Sequence, residues 1–166
     1  MKRIFTLILS LGLFTNSFSQ SDDCSTATSV TSGTTCSSPV VGTTAGATQS
    51  MPGCSGTADD DVWYKFTATA ASHSLAVTGS SNFSPVFEVF SGSCGSLVSL
   101  VCNDDASYGQ TGATHLLGLT PGNVYYFRVY HYYSGSGSGT FTVCLTEGVA
   151  PVNDDCLNAL AITSSV

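Results

Sequence analysis

The 166-residue sequence predicts an all-β chain, an antiparallel β-sandwich of jelly-roll or immunoglobulin-like type with about eight strands and disulfide staples. Three observations carry this. Apolar and polar residues alternate with period two between Gly, Pro, Asn and Ser turn signals. Past the first twenty residues, no stretch shows the sustained i, i+3, i+4 apolar spacing of a helix. Seven cysteines follow what reads as an export signal, and in an exported chain that pattern is a disulfide framework.

Taken in order, residues 1–19 read as a signal peptide. Lys2 and Arg3 supply the positive start, Ile4 to Phe14 the apolar core, and Ser17-Phe18-Ser19 a small-x-small cleavage site that leaves Gln20 as the new N-terminus. The apolar run is too short to span a bilayer. In the first clear strand Val62, Tyr64, Phe66 and Ala68 share one face, with Trp63, Lys65 and Thr67 on the other. Leu75 and Val77 mark a second strand, and Val86 to Phe90 reads as a buried central one. A Gly/Ser-rich turn over residues 91–96 leads into Leu97 to Cys102. Thr114 to Leu119 follows, then Thr120-Pro121-Gly122-Asn123, whose Pro and Gly fit a type II turn. Tyr125 is placed to bond back to that corner, as either sandwich type allows. Val124 to Tyr133 is the longest strand, and Phe141, Val143 and Leu145 line the inner face of the last.

Asp22-Asp23-Cys24-Ser25-Thr26-Ala27-Thr28-Ser29-Val30-Thr31-Ser32 returns as Asp154-Asp155-Cys156-Leu157-Asn158-Ala159-Leu160-Ala161-Ile162-Thr163-Ser164, with six of eleven positions identical at an offset of 132 residues. That offset fits a whole domain. The expected organisation is a module over 20–147, a linker over 148–152, and the truncated start of a second copy over 153–166. Cys156 is then the counterpart of Cys24, which leaves an even set in the module: Cys24, Cys36, Cys54, Cys94, Cys102 and Cys144. Sequence alone leaves the pairing open. The short gap favours Cys94–Cys102, with Cys36–Cys54 next and Cys24–Cys144 joining the two ends. Zinc lacks its spacing, since there is no C-x-x-C pair.

Only 9% of residues are charged. Removal of the signal leaves Lys65 and Arg128 against eleven carboxylates, a net charge of −9. Without a basic patch the chain is a poor partner for nucleic acid. Three acidic clusters stand out: Asp22-Asp23, Asp59-Asp60-Asp61 and Asn103-Asp104-Asp105. Calcium takes six to eight oxygen ligands, and paired Asp and Asn at strand ends supply such oxygens. The metal candidates are therefore Asp59, Asp60, Asp61, Asn103, Asp104 and Asp105. The long strand also puts Tyr126, Arg128, Tyr130 and Tyr132 on one face, an aromatic row around the mature chain's single arginine. Exposed, that row would be a stacking platform for a glycan or a protein ligand; otherwise it packs under a loop. Catalysis finds no support. His73, His115 and His131 are scattered, no G-x-S-x-G elbow occurs, and Glu88 and Glu147 have no obvious carboxylate partner.

Asp22-Asp23-Cys24, Asp61-Val62-Trp63-Tyr64-Lys65-Phe66, Val89-Phe90-Ser91-Gly92-Ser93-Cys94-Gly95, Asn103-Asp104-Asp105, Leu119-Thr120-Pro121-Gly122, Tyr125-Tyr126-Phe127-Arg128-Val129 and Gly139-Thr140-Phe141-Thr142-Val143 occur in that order. Together they resemble the repeated β-sandwich domains of secreted Bacteroidetes proteins, which are similar to the bacterial pre-peptidase C-terminal type. The resemblance implies a non-catalytic, secreted or cell-surface module within a large exported protein, and it strengthens the expectation of structural calcium. The function expected is structural, adhesive or ligand-binding, with a glycan or protein ligand and neighbouring copies of the module as partners. The alternative is an accessory domain of a secreted hydrolase or peptidase.

Overall fold

A computed structural model describes residues 21–135 and 139–148. The signal peptide expected over 1–19, the linker past Gly148 and the second copy over 153–166 lie outside those residues. A 3-10 turn (Cys24–Thr26) precedes nine strands: β1 (Thr28–Ser29), β2 (Val40–Thr43), β3 (Val62–Thr67), β4 (Ser72–Gly79), β5 (Pro85–Ser93), β6 (Ser96–Asn103), β7 (Thr111–Leu117), β8 (Val124–His131) and β9 (Thr140–Glu147). A five-stranded sheet has the order β1-β3-β8-β5-β6, and a four-stranded sheet the order β2-β9-β4-β7.

This order chooses between the two predicted sandwiches. The pairs β2–β9, β3–β8, β4–β7 and β5–β6 are all antiparallel. They are the rungs of one long hairpin rolled into two layers, which is a jelly roll rather than an immunoglobulin arrangement. The short β1, parallel to β3, is added at the edge of the five-stranded sheet.

Alternation along the strands builds the core. Val62, Tyr64 and Phe66 of β3, Leu75 and Val77 of β4, Phe127 and Val129 of β8, and Phe141 and Val143 of β9 meet between the sheets in one buried cluster. Tyr64 stacks on Phe127 with centroids 5.1 Å apart, and Phe83 on Phe141 at 5.3 Å. Truncating such a ring to Ala costs about 3–5 kcal/mol. The predicted corner is present. Gly122 has φ +89°, and the Thr120 N–H donates to Tyr125 Oη at 2.9 Å.

The outer face of the five-stranded sheet is only partly open. Residues 44–61, an irregular connection between β2 and β3, run across it. Arg128 holds them there. In register it lies between Trp63 on β3 and Glu88 on β5. Its Nη1 donates to Asp61 Oδ2 at 3.0 Å and to the Met51 carbonyl at 2.8 Å. Nη2 donates to Glu88 Oε2 at 2.8 Å and to the Pro52 carbonyl at 2.5 Å, and Nε reaches Glu88 Oε2 at 3.3 Å. All five guanidinium N–H groups thus have acceptors. The rings of Trp63, Phe90 and Tyr130 surround the group at 5.3 to 5.9 Å from their centroids.

All six expected cysteines are bonded, but the pairing differs from the one favoured by sequence gaps. Cys24 joins Cys94, Cys36 joins Cys144, and Cys54 joins Cys102. The reason is strand geometry. Cys94 lies in the β5–β6 turn while Cys102 lies near the far end of β6, paired across to Glu88. Six residues of strand put them about 20 Å apart, against the roughly 5.5–6 Å that a disulfide spans between Cα atoms. Cys36–Cys144 and Cys54–Cys102 instead tie irregular segments to strands, Cys24–Cys94 ties the 3-10 turn to the β5–β6 turn, and Cys54–Cys102 secures residues 44–61 beside Arg128.

Replacing Arg128 with Met should strand Asp61 and Glu88 as buried charges and destabilise the fold by about 3–5 kcal/mol. Urea denaturation would show this as a lowered midpoint. The triple variant Asp61→Asn, Glu88→Gln, Arg128→Met should recover most of the loss; an unchanged midpoint in Arg128→Met would refute the assignment.

Candidate functional site

Strand direction decides where the site forms. β3 and β5 begin, and β6 and β8 finish, at the same end of the sandwich. The ends of four connections therefore gather there: residues 55–61, 80–84, 104–110 and 132–135. The two acidic clusters predicted from sequence do arrive together at this end, but their members take different parts.

Asp61 faces inward. It accepts from the Ser50 N–H at 2.8 Å and from Ser50 Oγ at 2.5 Å, besides pairing with Arg128. Asp60 is buried, accepts from the His131 N–H at 3.0 Å, and keeps Oδ2 without a partner. Burial pushes its carboxyl above the usual carboxylate range, although the Thr44 side chain and the His131 N–H pull the other way. Asp59 Oδ2 accepts from the Gly135 N–H at 2.9 Å, while its Oδ1 is buried and unpartnered. Asp104 accepts from the Ser55 hydroxyl. The Asn103 amide donates to Asp105 at 2.9 Å. Among the described residues, no group of three or more His, Cys, Asp or Glu side chains is arranged to hold a metal ion. The six predicted ligands thus do not share one shell: Arg128 engages Asp61, and hydroxyl or amide donors engage Asp104 and Asp105.

The predicted Tyr126, Arg128, Tyr130, Tyr132 row is not an open platform. Arg128 and Tyr130 are fully buried, and Tyr126 and Tyr132 are half-buried at its two ends. Residues 50–57 cover the middle. Tyr130 Oη donates to the Ser55 carbonyl at 2.7 Å, and the Thr57 N–H donates to the Tyr132 carbonyl at 2.9 Å. The second of the two sequence readings, a row packed under a loop, is the one observed.

A different aromatic group is open. Tyr108 and Tyr133 are each about half exposed, at 49% and 50%, and are the exposed large aromatics among the described residues. They stack on each other, centroids 5.5 Å apart and planes within 4°. Behind them lies the buried His131, 5.5 Å from Tyr108 and 5.6 Å from Tyr133, and behind that Phe83 of the core at 5.2 Å. The Ser84 N–H donates to His131 Nδ1 at 3.0 Å, which fixes the imidazole edge. Tyr132 meets Tyr133 edge to face at 4.9 Å. An aromatic column thus rises from the core to solvent, with Asp59 bonded to Gly135 just past Tyr133 and Asp104 and Asp105 on the connection that carries Tyr108. It offers flat π-faces next to hydrogen-bond acceptors. Sequence reading missed Tyr108 and Tyr133. Their signal was a large ring within a Ser-Tyr-Gly turn and another just past a strand end, positions with no core-facing register.

No helix among the described residues is long and apolar enough to cross a membrane. No curated protein matches the chain. Among solved structures, it is similar to the pre-peptidase C-terminal domain of a collagenase from Bacillus anthracis, at 15% identity and a TM-score of 0.49 over 72% of this chain and 93% of that one. A family model for galactose-binding-domain-like modules associated with type IX secretion matches residues 20–143. The chain belongs to that galactose-binding-domain-like family.

Proposed function

We propose that this chain is a non-catalytic, extracellular glycan-binding module of an exported protein, and that its loop end is the binding face. The stacked Tyr108–Tyr133 pair carries this reading. Two rings exposed at one loop end, backed by His131 and Phe83, form a rigid apolar surface on which the C–H face of a pyranose can lie. Asp104 and Asp105, on the same β6–β7 connection as Tyr108, bring carboxylate acceptors to this end of the sandwich. The galactose-binding-like family agrees with a sugar ligand. An adhesive role in a tandem array also has a structural support. The Ser21 carbonyl is bonded at the start of β3 and Gly148 at the start of β4, so the module's two ends leave from opposite ends of the sandwich. Copies strung that way gain avidity from weak individual sites. Export through a cleaved signal peptide fits three disulfides.

Titration of the chain with neutral, galactose-terminated oligosaccharides should shift the amide resonances of residues 107–109 and 131–135. Tyr133→Ala should weaken binding about tenfold or more, equivalent to about 1.4 kcal/mol. Absence of any glycan response, or full binding by Tyr133→Ala, would sink the proposal.

A structural calcium ion is favoured by one observation at the same end: Asp59 Oδ1 and Asp60 Oδ2 are buried without partners. Those two carboxylates, completed by backbone carbonyls and water, suit a hard cation. The pH dependence has a definite sign. Asp60's folded-state pKa is raised, so without a cation its contribution to stability is lost as pH rises from the unfolded value through the folded one. A bound cation would oppose that loss. The rise in melting temperature on replacing EDTA by calcium should therefore grow from pH 4 to pH 7 and disappear in Asp60→Asn. No calcium-dependent shift at pH 7 would exclude the site.

A further inference from the structure

A second concavity lies away from the loop end, on the open part of the five-stranded sheet beyond the covered strip. It is a groove of about 350 Å³ between β1, β3 and the start of β8. Lys65 stands in its floor, half-buried, next in register to Tyr126 on β8 and Ser29 on β1. Among the described residues the only other Lys or Arg is Arg128, which Asp61 and Glu88 neutralise. Lys65 has no ion pair among those residues, and no Asp or Glu lines the groove. An unpaired ammonium is thus isolated in a carboxylate-free hollow of a strongly acidic chain.

The walls define what else the ligand must carry. Tyr126 contributes a half-buried ring, and the neighbouring Val124 is 40% exposed. Ser29, Thr31 and Thr67 line the groove with hydroxyls, each able to donate and accept. Ser32 and Thr69 bond to each other at 3.0 Å across its upper rim and so hold the segment after β1 against the sheet. One cation, one ring face and several hydroxyls complement a pyranose that bears a carboxylate. A peptide of several acidic residues would find one ammonium and no further cation. A neutral sugar would leave the ammonium without its counter-charge.

We propose that this groove binds a uronate residue of an acidic polysaccharide, with the carboxylate on Lys65, the ring against Tyr126 and the sugar hydroxyls on Ser29, Thr31 and Thr67. The site is separate from the Tyr108–Tyr133 face, so either can fail alone. The chain's net negative charge repels a polyanion at long range, but that repulsion is screened beyond about 8 Å at physiological ionic strength. Recognition is therefore local, and association gains nothing from steering.

The test is amide-resonance titration of the whole chain with oligogalacturonate, with neutral galacto-oligosaccharide of equal length, and with an oligoglutamate peptide. The expected result is saturable shifts at residues 29–32, 65–67 and 124–126 with the uronate alone, while resonances of Tyr108 and Tyr133 stay in place. Lys65→Gln should weaken uronate binding at least tenfold, and Lys65→Arg should restore most of it. Equal shifts at residues 29–32, 65–67 and 124–126 with the neutral sugar, preference of those residues for the peptide, or full uronate binding by a folded Lys65→Gln would each overturn the proposal.

Discussion

The guanidinium of Arg128 is the constraint on which the rest of the structure hangs. Burying an unpaired cation on the outer face of a sheet would cost several kcal/mol, and only a complete set of acceptors offsets it. Two carboxylates cannot occupy all five donors in this geometry. The Met51 and Pro52 carbonyls supply what is missing, so residues 44–61 cannot leave the sheet without uncovering a charge. The same contact orders the local aromatic packing. Trp63 donates its indole N–H to Ser50 Oγ, and Ser50 is itself bonded to Asp61, so ring, loop and ion pair share one network. Charge is scarce in this chain, and the one arginine among the described residues lies inside.

That arrangement decides which surfaces of the sandwich stay open. With the centre of the five-stranded sheet covered, the jelly roll presents its loop end and the uncovered margin by β1. The loop end is organised by the same segment. Asp61 anchors the connection, and Asp60 and Asp59, the residues just before it, are thereby set against His131 and Gly135. The aromatic column follows from the register of β8. Alternation sends Tyr125, Phe127, Val129 and His131 into the core, and the chain leaves the sheet one residue later. Tyr133 emerges on top of His131, where Tyr108 from the β6–β7 connection meets it. A rigid pair of exposed rings requires such backing, since a lone tyrosine on a loop would lose side-chain entropy on binding.

Much of the fold was legible because it rests on local rules. The inward faces of β3, β4, β8 and β9 follow from period-two alternation, buried β5 from its nearly continuous apolar run, and the Thr120–Tyr125 corner from Pro121, Gly122 and the phenol behind them. β1 and β2 were not legible. They are short and rich in Thr, Ser and Gly, and they become strands only by pairing with β3 and β9. The cysteine pairing failed for a related reason. Gap length describes neighbours along the chain, whereas all three bonds join irregular segments to strands or a strand turn placed beside them by the roll, at sequence separations of 48 to 108. The acidic clusters were located correctly as strand-end groups, but their division into an ion pair, hydroxyl acceptors and unpartnered oxygens depends on contacts across the sandwich.

The aromatic row on β8 shows where sequence reasoning is underdetermined. Tyr126, Arg128, Tyr130 and Tyr132 alternate in the manner of either an exposed stacking face or a second small core. The feature that decides between them lies elsewhere in the sequence: a connection between β2 and β3 too long for a simple turn, carrying Asp61 at its end and Cys54 within it. A carboxylate that opens a strand and an arginine on the next strand over are indistinguishable from surface charges until register places them side by side. Once Trp63, Arg128 and Glu88 form one cross-strand row, the rings beside Arg128 must be covered, because an exposed arginine would not need two carbonyls and two carboxylates. Burial of the row and exposure of Tyr108 and Tyr133 are therefore linked: the loop that hides the first also builds the base on which the second stands.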